Sequence, residues 1–414
     1  MISRTSTIIC IATLLFVVSC DRSTLSPDGE KTLPLTRSEE VFVEGNKDFA
    51  SELLQMYYDK RGVAYDFVVS PISLQMFFGM LGAAASEDQA HGINRMLGYD
   101  GSSSADINNF CQKVLTHTPQ LDPKVTVGVV NQWWLNEDSG FNLYDPFAQL
   151  LKDYYQVDPA TKHFNRDPMS TIVHDWIFEH TRGMIDLQYP APYPKQCILA
   201  NATYLKAEWQ EKFDKAESKA GEFRTEDGSS VQVVYMDKTL NDAEGYSDQE
   251  LDALFLPLGG GSFRMEFLLP KYGKKVRDVI QRLRSGDLPM TGTHQQTTVC
   301  LPTFDLACAN GSLVEDVCDY FHVELSDGAR NPAKYPLCGK DTEGPGMEIN
   351  TISHIARIVV NEEGTEAAAV TINGRWSGIP KIRQFIADRP FVFLIREVGS
   401  GLIFFSGVYA GGSK

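Results

Sequence analysis

Residues 361–371 read Asn-Glu-Glu-Gly-Thr-Glu-Ala-Ala-Ala-Val-Thr, a run without an aromatic ring or a leucine. A strand-like triplet, Ile358-Val359-Val360, precedes it, and a turn-rich stretch from Asn373 to Pro380 follows. Ala and Glu favour a helix, but Gly364 and Thr365 interrupt one. The run has little apolar surface with which to hold a core. The run can be a short Ala-rich helix, a linker or a segment that must change shape.

The rest of the chain is that of an ordinary globular protein. It has 414 residues, 43% hydrophobic and 22% charged, enough for a large core. The net charge of −16 argues against a nucleic-acid binder, which needs a basic surface.

Arg4 precedes an apolar run from Ile8 to Val18, which ends at Ser19-Cys20. A basic start and a short apolar stretch make a secretory signal, too short to span a bilayer as a helix. The small residue before Cys20 resembles a bacterial lipobox, which implies cleavage before Cys20 and lipidation of its thiol. An ordinary signal peptide that happens to contain a cysteine is the alternative. The lipobox reading predicts an exported protein, lipid-anchored to a bacterial membrane on the periplasmic side or the cell surface. Beyond Cys10 and Cys20 the chain keeps Cys111, Cys197, Cys300, Cys308, Cys318 and Cys338. Six cysteines allow 15 connectivities, and no CxxC spacing occurs. Bridges and buried free thiols both remain open.

Three segments follow: a signal over 1–19, a lipidated cysteine with a polar tether over 20–40, and one domain over 41–414. Helical spacing marks Phe49–Tyr58, Ser73–Ala85 and Met169–His180, with Ser70 and Pro71 placed to start the second and Gly183 to stop the third. Strands are expected at Val68–Val69, Val125–Leu135, Cys197–Leu205, Leu254–Leu258, Phe263–Leu269, Val299–Leu306, Phe391–Ile395 and Leu402–Val408. The fold class is mixed α and β with mainly antiparallel sheets.

Catalytic motifs are missing from the sequence. There is no G-x-S-x-G elbow, no H-E-x-x-H and no phosphate-binding glycine loop. His174 and His180, six apart, suit structural roles. Asn201-Ala-Thr203 matches a glycosylation sequon but lies inside an apolar strand, which argues against its use.

Six local patterns, in fixed order from about residue 41 to the end, resemble the serpin family. They are Asp66-Phe-Val-Val-Ser-Pro-Ile-Ser73, Trp176-Ile-Phe-Glu-His-Thr-Arg-Gly-Met-Ile185, Leu199-Ala-Asn-Ala-Thr-Tyr-Leu-Lys-Ala-Glu-Trp209 and Ile352-Ser-His-Ile-Ala356. The opening run resembles the family's hinge, and Phe385-Ile-Ala-Asp-Arg-Pro-Phe-Val-Phe393 its C-terminal signature. The resemblance implies three β-sheets, eight or nine helices and an exposed reactive-centre loop. It implies an inhibitor of serine proteases: the attacked loop inserts as a strand in the main sheet and carries the acylated protease with it. The protein would not be an enzyme, since the protease supplies the nucleophile.

The hinge composition permits insertion. An inserted strand alternates faces. Thr365, Ala367, Ala369 and Thr371 would face inward and are small, which avoids overpacking. Glu366 falls on the outward set with Ala368 and Val370, so no charge is buried. Gly364 supplies the pivot, after Glu362 and Glu363. The resemblance also places Ser70, Ser73, Asn201 and His354 in a polar cluster where the strands part, and Trp209 at the top of the sheet.

Some positions depart from the family pattern. Asp66 replaces Asn, Ile355 replaces Lys and Gln89 stands where Thr is common. Thr303 replaces the base that often pairs with the hinge acid, here Glu362, so that ion pair is expected to be missing. The family spacing from Gly364 puts the attacked residue at Gly378, before Ile379; the spacing from Pro390 gives Ile379. Gly378 or Ser377 would suit elastase- or subtilisin-like enzymes, Trp376 a chymotrypsin-like enzyme and Arg375 a trypsin-like one. Cysteine proteases are further candidate partners. A monomer without cofactor or metal is expected. The competing readings are a non-inhibitory serpin acting as a binding module and an unrelated surface hydrolase.

Overall fold

Helix α2 (Pro71–Ala84) shows how the sequence builds the centre of the molecule. Ser70 takes extended dihedrals and its Oγ accepts from the Ser73 N–H at 3.4 Å, while Pro71 fills the first turn, where a missing N–H costs nothing. Every residue of α2 is buried. A helix apolar all round must be enclosed by other elements.

In the computed structural model, residues 32–140, 143–186, 196–289, 291–310, 313–323, 352–362 and 382–412 are described. Among them the other helices are α1 (Glu40–Arg61), α3 (Glu87–Met96), α4 (Ser104–His117), α5 (Asp145–Tyr155), α6 (Met169–His180), α7 (Val276–Arg284) and α8 (Leu313–Phe321). The strands are β1 (Phe67–Val69), β2 (Val125–Asn136), β3 (Ala160–Lys162), β4 (Cys197–Ala207), β5 (Lys219–Arg224), β6 (Ser230–Ser247) and β7 (Leu251–Leu258). They continue as β8 (Phe263–Pro270), β9 (Thr293–Pro302), β10 (Phe304–Asn310), β11 (Ile352–Val360), β12 (Arg383–Ile386), β13 (Phe391–Glu397) and β14 (Ile403–Tyr409).

Five strands form one sheet in the order β10-β11-β4-β2-β3. The other nine form a network in the order β1-β14-β13-β8-β7-β6-β9-β12, with β5 on β6. The long strand β6 joins two parts of that network. Its first half pairs with β5 and its last residues with β7, with a register shift against β9 between Leu240 and Ala243. The expected second and third sheets are thus hydrogen-bonded into one.

The single strand expected over Val299–Leu306 is two strands in different sheets. Pro302 ends β9 and cannot donate, and Thr303 donates to Val234 O at 2.8 Å before β10 begins. At the N-terminus, order reaches into the expected tether: Leu33 is buried in the core, and Thr36 N–H donates to Glu39 Oε2 at 2.7 Å ahead of α1. Cys111, Cys197 and Cys300 are free thiols. Burial pushes the Cys111 and Cys197 thiols up to about 12, away from reactive thiolate.

Candidate functional site

Where β4 pairs with β11, the five-stranded sheet is covered on both faces. On one side Ile198, Ala200, Ala202 and Ile355 pack under α6, through Met169, Val173 and Ile177. The side chains of Leu199, Ala356 and Ile358 join the main core on the other side. Ile355, where the family pattern has Lys, is one of the residues under α6, and an apolar side chain suits that place.

The central pair of this sheet, β4 and β11, is parallel. Pairing runs from Ile352↔Leu199 to Arg357↔Tyr204 and stops there, although both strands continue. Beyond it the strands part around an open cleft of about 280 Å³, lined by Leu205, Ala207, Trp209, Ile358, Val360 and Asn361 among others. The Trp209 indole Nε1 donates to Asn361 O at 2.8 Å, so the tryptophan holds the end of β11 across the cleft. Glu362, the next residue, accepts from the Ser218 hydroxyl. The base missing at Thr303 is thus replaced by a neutral donor; Thr303 itself hydrogen-bonds to Val234 O.

Over the cleft lies the turn after α6. Gly183 has φ +74 and its N–H returns to Phe178 O at 2.7 Å, which ends the helix as its glycine predicts. Met184 from this turn lines the cleft, and its carbonyl accepts from Arg357 Nη1 at 2.7 Å. The same guanidinium grips Asp305 on β10 with two bonds of 3.0 and 2.7 Å.

Lower on the seam, the structure brings Ser70, Ser73, Asn201 and His354 together. Ser70, Ser73, Asn201 and His354 are fully buried. His354 and Asn201 are opposite residues of the parallel ladder. Ser70 N–H donates to His354 Nε2 at 3.3 Å, so the ring proton sits on Nδ1 and is donated to Asn201 Oδ1 at 2.8 Å. Ser73 Oγ also donates to Asn201 Oδ1, and Asn201 Nδ2 donates to Ser73 O at 3.2 Å. Burial lowers the His354 pKa to about 3, which keeps the ring neutral. Asn201 and Thr203 are buried inside a strand, as the discounted sequon requires.

One member of the cluster escaped the sequence reading. Asn131 on β2 pairs across the ladder with Asn201, whose Nδ2 donates to Asn131 Oδ1 at 2.7 Å. Its signal was available: Asn131 occupies an inward position in the alternating run Val125, Val127, Val129. Among the other departures, Asp66 accepts from Ala410 N–H at 2.6 Å and so ties β1 to the C-terminus. Gln89 Oε1 accepts from Ser86 Oγ at 3.2 Å, at the start of α3. His174 and His180 make structural contacts. His174 bridges Asp175 and Asp186 at 2.9 and 2.8 Å, and His180 Nδ1 meets Trp176 O at 2.9 Å.

The hinge beyond Glu362 (Glu363, Gly364, Thr365, Glu366, Ala367, Ala368, Ala369, Val370, Thr371), the candidate reactive positions Arg375, Trp376, Ser377, Gly378 and Ile379, and Cys20 lie outside the described residues. Among those described, no group of three or more His, Cys, Asp or Glu side chains could hold a metal ion. No helix there is long and apolar enough to cross a membrane.

A parallel seam, open at one end and cross-linked by buried polar groups at the other, defines the class of this domain by its main sheet. The comparisons agree on the family. The family model described as Serpin (serine protease inhibitor) matches residues 44–410. Serpin-Z4 of Hordeum vulgare is 28% identical over 82% of this chain and 88% of its own length. Serpin B8 of Bos taurus is 26% identical over 90% and 99%. Among solved structures, Arabidopsis AtSerpin1 in its native stressed conformation superposes with a TM-score of 0.76 at 22% identity, covering 90% of this chain and 98% of that one. The chain belongs to the serpin family and has the serpin fold.

Proposed function

We propose that this protein is a single-use inhibitor of serine proteases. The protease attacks the loop within residues 375–379, with Gly378–Ile379 the first candidate bond. The protease's serine Oγ adds to the carbonyl carbon, the peptide C–N bond breaks, and the new amino terminus leaves with a proton. The acylated hinge segment then enters between β4 and β11.

The observation that carries this reading is the cleft where β4 and β11 part. A segment that turns back after Asn361 runs antiparallel to β11. Because β4 is parallel to β11, the segment runs antiparallel to β4 as well. One parallel ladder is exchanged for two antiparallel ladders, the slightly more stable kind. Each added backbone hydrogen bond contributes roughly 0.5–1.5 kcal/mol net, so about a dozen make a strong driving force. Relatives named as serpins, and a family model described as serine protease inhibitor, support the same reading.

The test is a panel of elastase-, subtilisin-, chymotrypsin- and trypsin-like enzymes, mixed with the protein and run on denaturing gels. A complex that survives denaturation, with release of residues 379–414, is the expected result. Cleavage without a complex contradicts inhibition and leaves a binding module. We further propose anchoring through a lipid on Cys20. Labelled fatty acid should be incorporated by the wild type and not by Cys20→Ser; equal labelling refutes it.

A further inference from the structure

The turn after α6 is held at its far end by a histidine. Both ring nitrogens of His174 meet carboxylates: Nδ1 lies 2.9 Å from Asp175 Oδ1, and Nε2 lies 2.8 Å from Asp186 Oδ1. An ionised carboxylate only accepts, and a neutral imidazole has one N–H to give. The two bonds therefore form together only when the ring is protonated. The charged groups that face the ring are Asp175 on its own helix and Asp186 beyond the turn; Arg357 of β11 faces Asp186 in its turn. The hydrogen bond to Asp186, followed by that to Asp175, holds the His174 pKa above its ordinary value.

The two carboxylates lie on different segments, which gives the proton a mechanical meaning. Asp175 follows His174 on α6, whereas Asp186 ends the turn over the cleft, two residues beyond Met184. The turn is held from two sides. Arg357 Nη1 donates to Met184 O from β11, and His174 holds Asp186 from the helix. Bonds within the turn are local: Met184 N–H donates to Thr181 O at 3.0 Å and Ile185 N–H to Thr181 Oγ1 at 3.2 Å. A strand that parts β4 from β11 must shift the turn above them. The bond from His174 to Asp186 resists that shift for as long as the ring keeps its proton.

We propose that His174 is a pH-sensitive clip: as an imidazolium it keeps the turn seated over the cleft, and when it gives up its proton the turn is freed and strand entry quickens. It is a positioning residue, and its role rests on the insertion reading above. Because the two carboxylates favour the charged ring, the clip is complete below about pH 6.5 and is lost as pH rises through the raised value.

The experiment compares wild type, His174→Arg and His174→Asn between about pH 6 and 8.5. Arginine keeps a cation between the carboxylates throughout, and asparagine is neutral throughout. Two quantities are read at each pH. One is the ratio of covalent complex to cleaved chain with the best enzyme of the panel, compared among the three proteins at the same pH so that the enzyme's own titration cancels. The other is hydrogen exchange at the Met184 and Ile185 amides of the uncut protein, corrected for its intrinsic pH dependence. With rising pH, wild type should pass from the behaviour of His174→Arg to that of His174→Asn. At the alkaline end it should exchange about threefold faster than His174→Arg and give about a threefold higher ratio of complex to cleaved chain. One pH profile shared by all three proteins overturns the clip, as does wild type that follows His174→Arg throughout. Exchange that changes while the ratio stays level removes His174 from strand entry. If no protein forms complex at any pH, the inhibitor reading fails, and the clip stands or falls on exchange at the two amides.

Discussion

The same two strands behave oppositely at their two ends. From Leu199 to Tyr204, β4 is zipped to β11 and cross-linked through Asn201 and His354. From Leu205 to Trp209 the chain stands away from Ile358–Asn361 across a cleft, which the Trp209 indole hydrogen bond spans. The zipped end has no room for a strand and no unshielded backbone; the open end offers both. On the proposed mechanism, entry would begin beside Trp209, and the buried polar cluster would set how far it proceeds. A hydrophobic seam could not serve in this way. Ser73, His354 and Asn131 are tied together through Asn201, and buried polar groups joined in this way are costly to separate singly.

Changes at the entering strand should have the largest effect. Thr365→Arg would place a charge on the inward face of the hinge, where it would lie buried and unpaired. Covalent complex should vanish on denaturing gels while loop cleavage continues; undiminished complex would show that the hinge does not enter the sheet. Next is the zipped end. Asn201→Ala removes the group on which Ser73, His354 and Asn131 converge and should cost roughly 3 kcal/mol of stability. Urea unfolding reads this as a lowered midpoint, and a midpoint within error of wild type would mean that the cluster is no latch.

The third effect is a pH dependence. His354 has its pKa lowered by burial from 6.5 to about 3. A depressed value means that the folded state prefers the neutral ring. This contribution is complete above about pH 6.5 and is lost as pH falls toward 3, at about 1.4 kcal/mol per pH unit. Protonating Nε2 would also turn an acceptor of the Ser70 N–H into a competing donor. Melting temperature should therefore fall more steeply with acid below pH 6.5 in wild type than in His354→Asn. Parallel curves would remove His354 from the account. The smallest effect belongs to the open end. Trp209→Phe keeps the ring but loses the bond to Asn361, about 1 kcal/mol. Urea midpoints should show a small drop, well below that of Asn201→Ala; an equal drop would erase the contrast between the two ends.

What the sequence revealed about these two ends differs for a physical reason. The zipped end was legible through the family resemblance, which groups Ser70, Ser73, Asn201 and His354; read alone, Ser70-Pro71 marks a helix start, and Asn201 and His354, which interrupt apolar runs, are satisfied core groups. Asn131 interrupts such a run as well, but its meaning depends on a cross-strand neighbour that is distant in sequence. The open end could not be read as a cleft, because Leu205 and Ile358 are ordinary strand residues whose separation is a matter of tertiary packing. Strand β6 was missed for a related reason. Its exposed, polar stretches break the alternation that marks a half-buried strand. The boundary at Pro302 was written in the sequence, yet an apolar run continues across it and concealed the passage between sheets.

The most direct test of strand entry follows the amides of the seam itself. Hydrogen exchange is measured at residues 205–207 and 358–360 before and after the loop is cut within 375–379, together with melting temperature. Alternate amides on each strand pair outward with β2 or β10; the account predicts that the others, which face the cleft in the intact protein, become at least about tenfold more protected as the inserted strand pairs with them, and that the melting temperature rises. Unchanged exchange at both strands, with an unchanged or lower melting temperature, would contradict it.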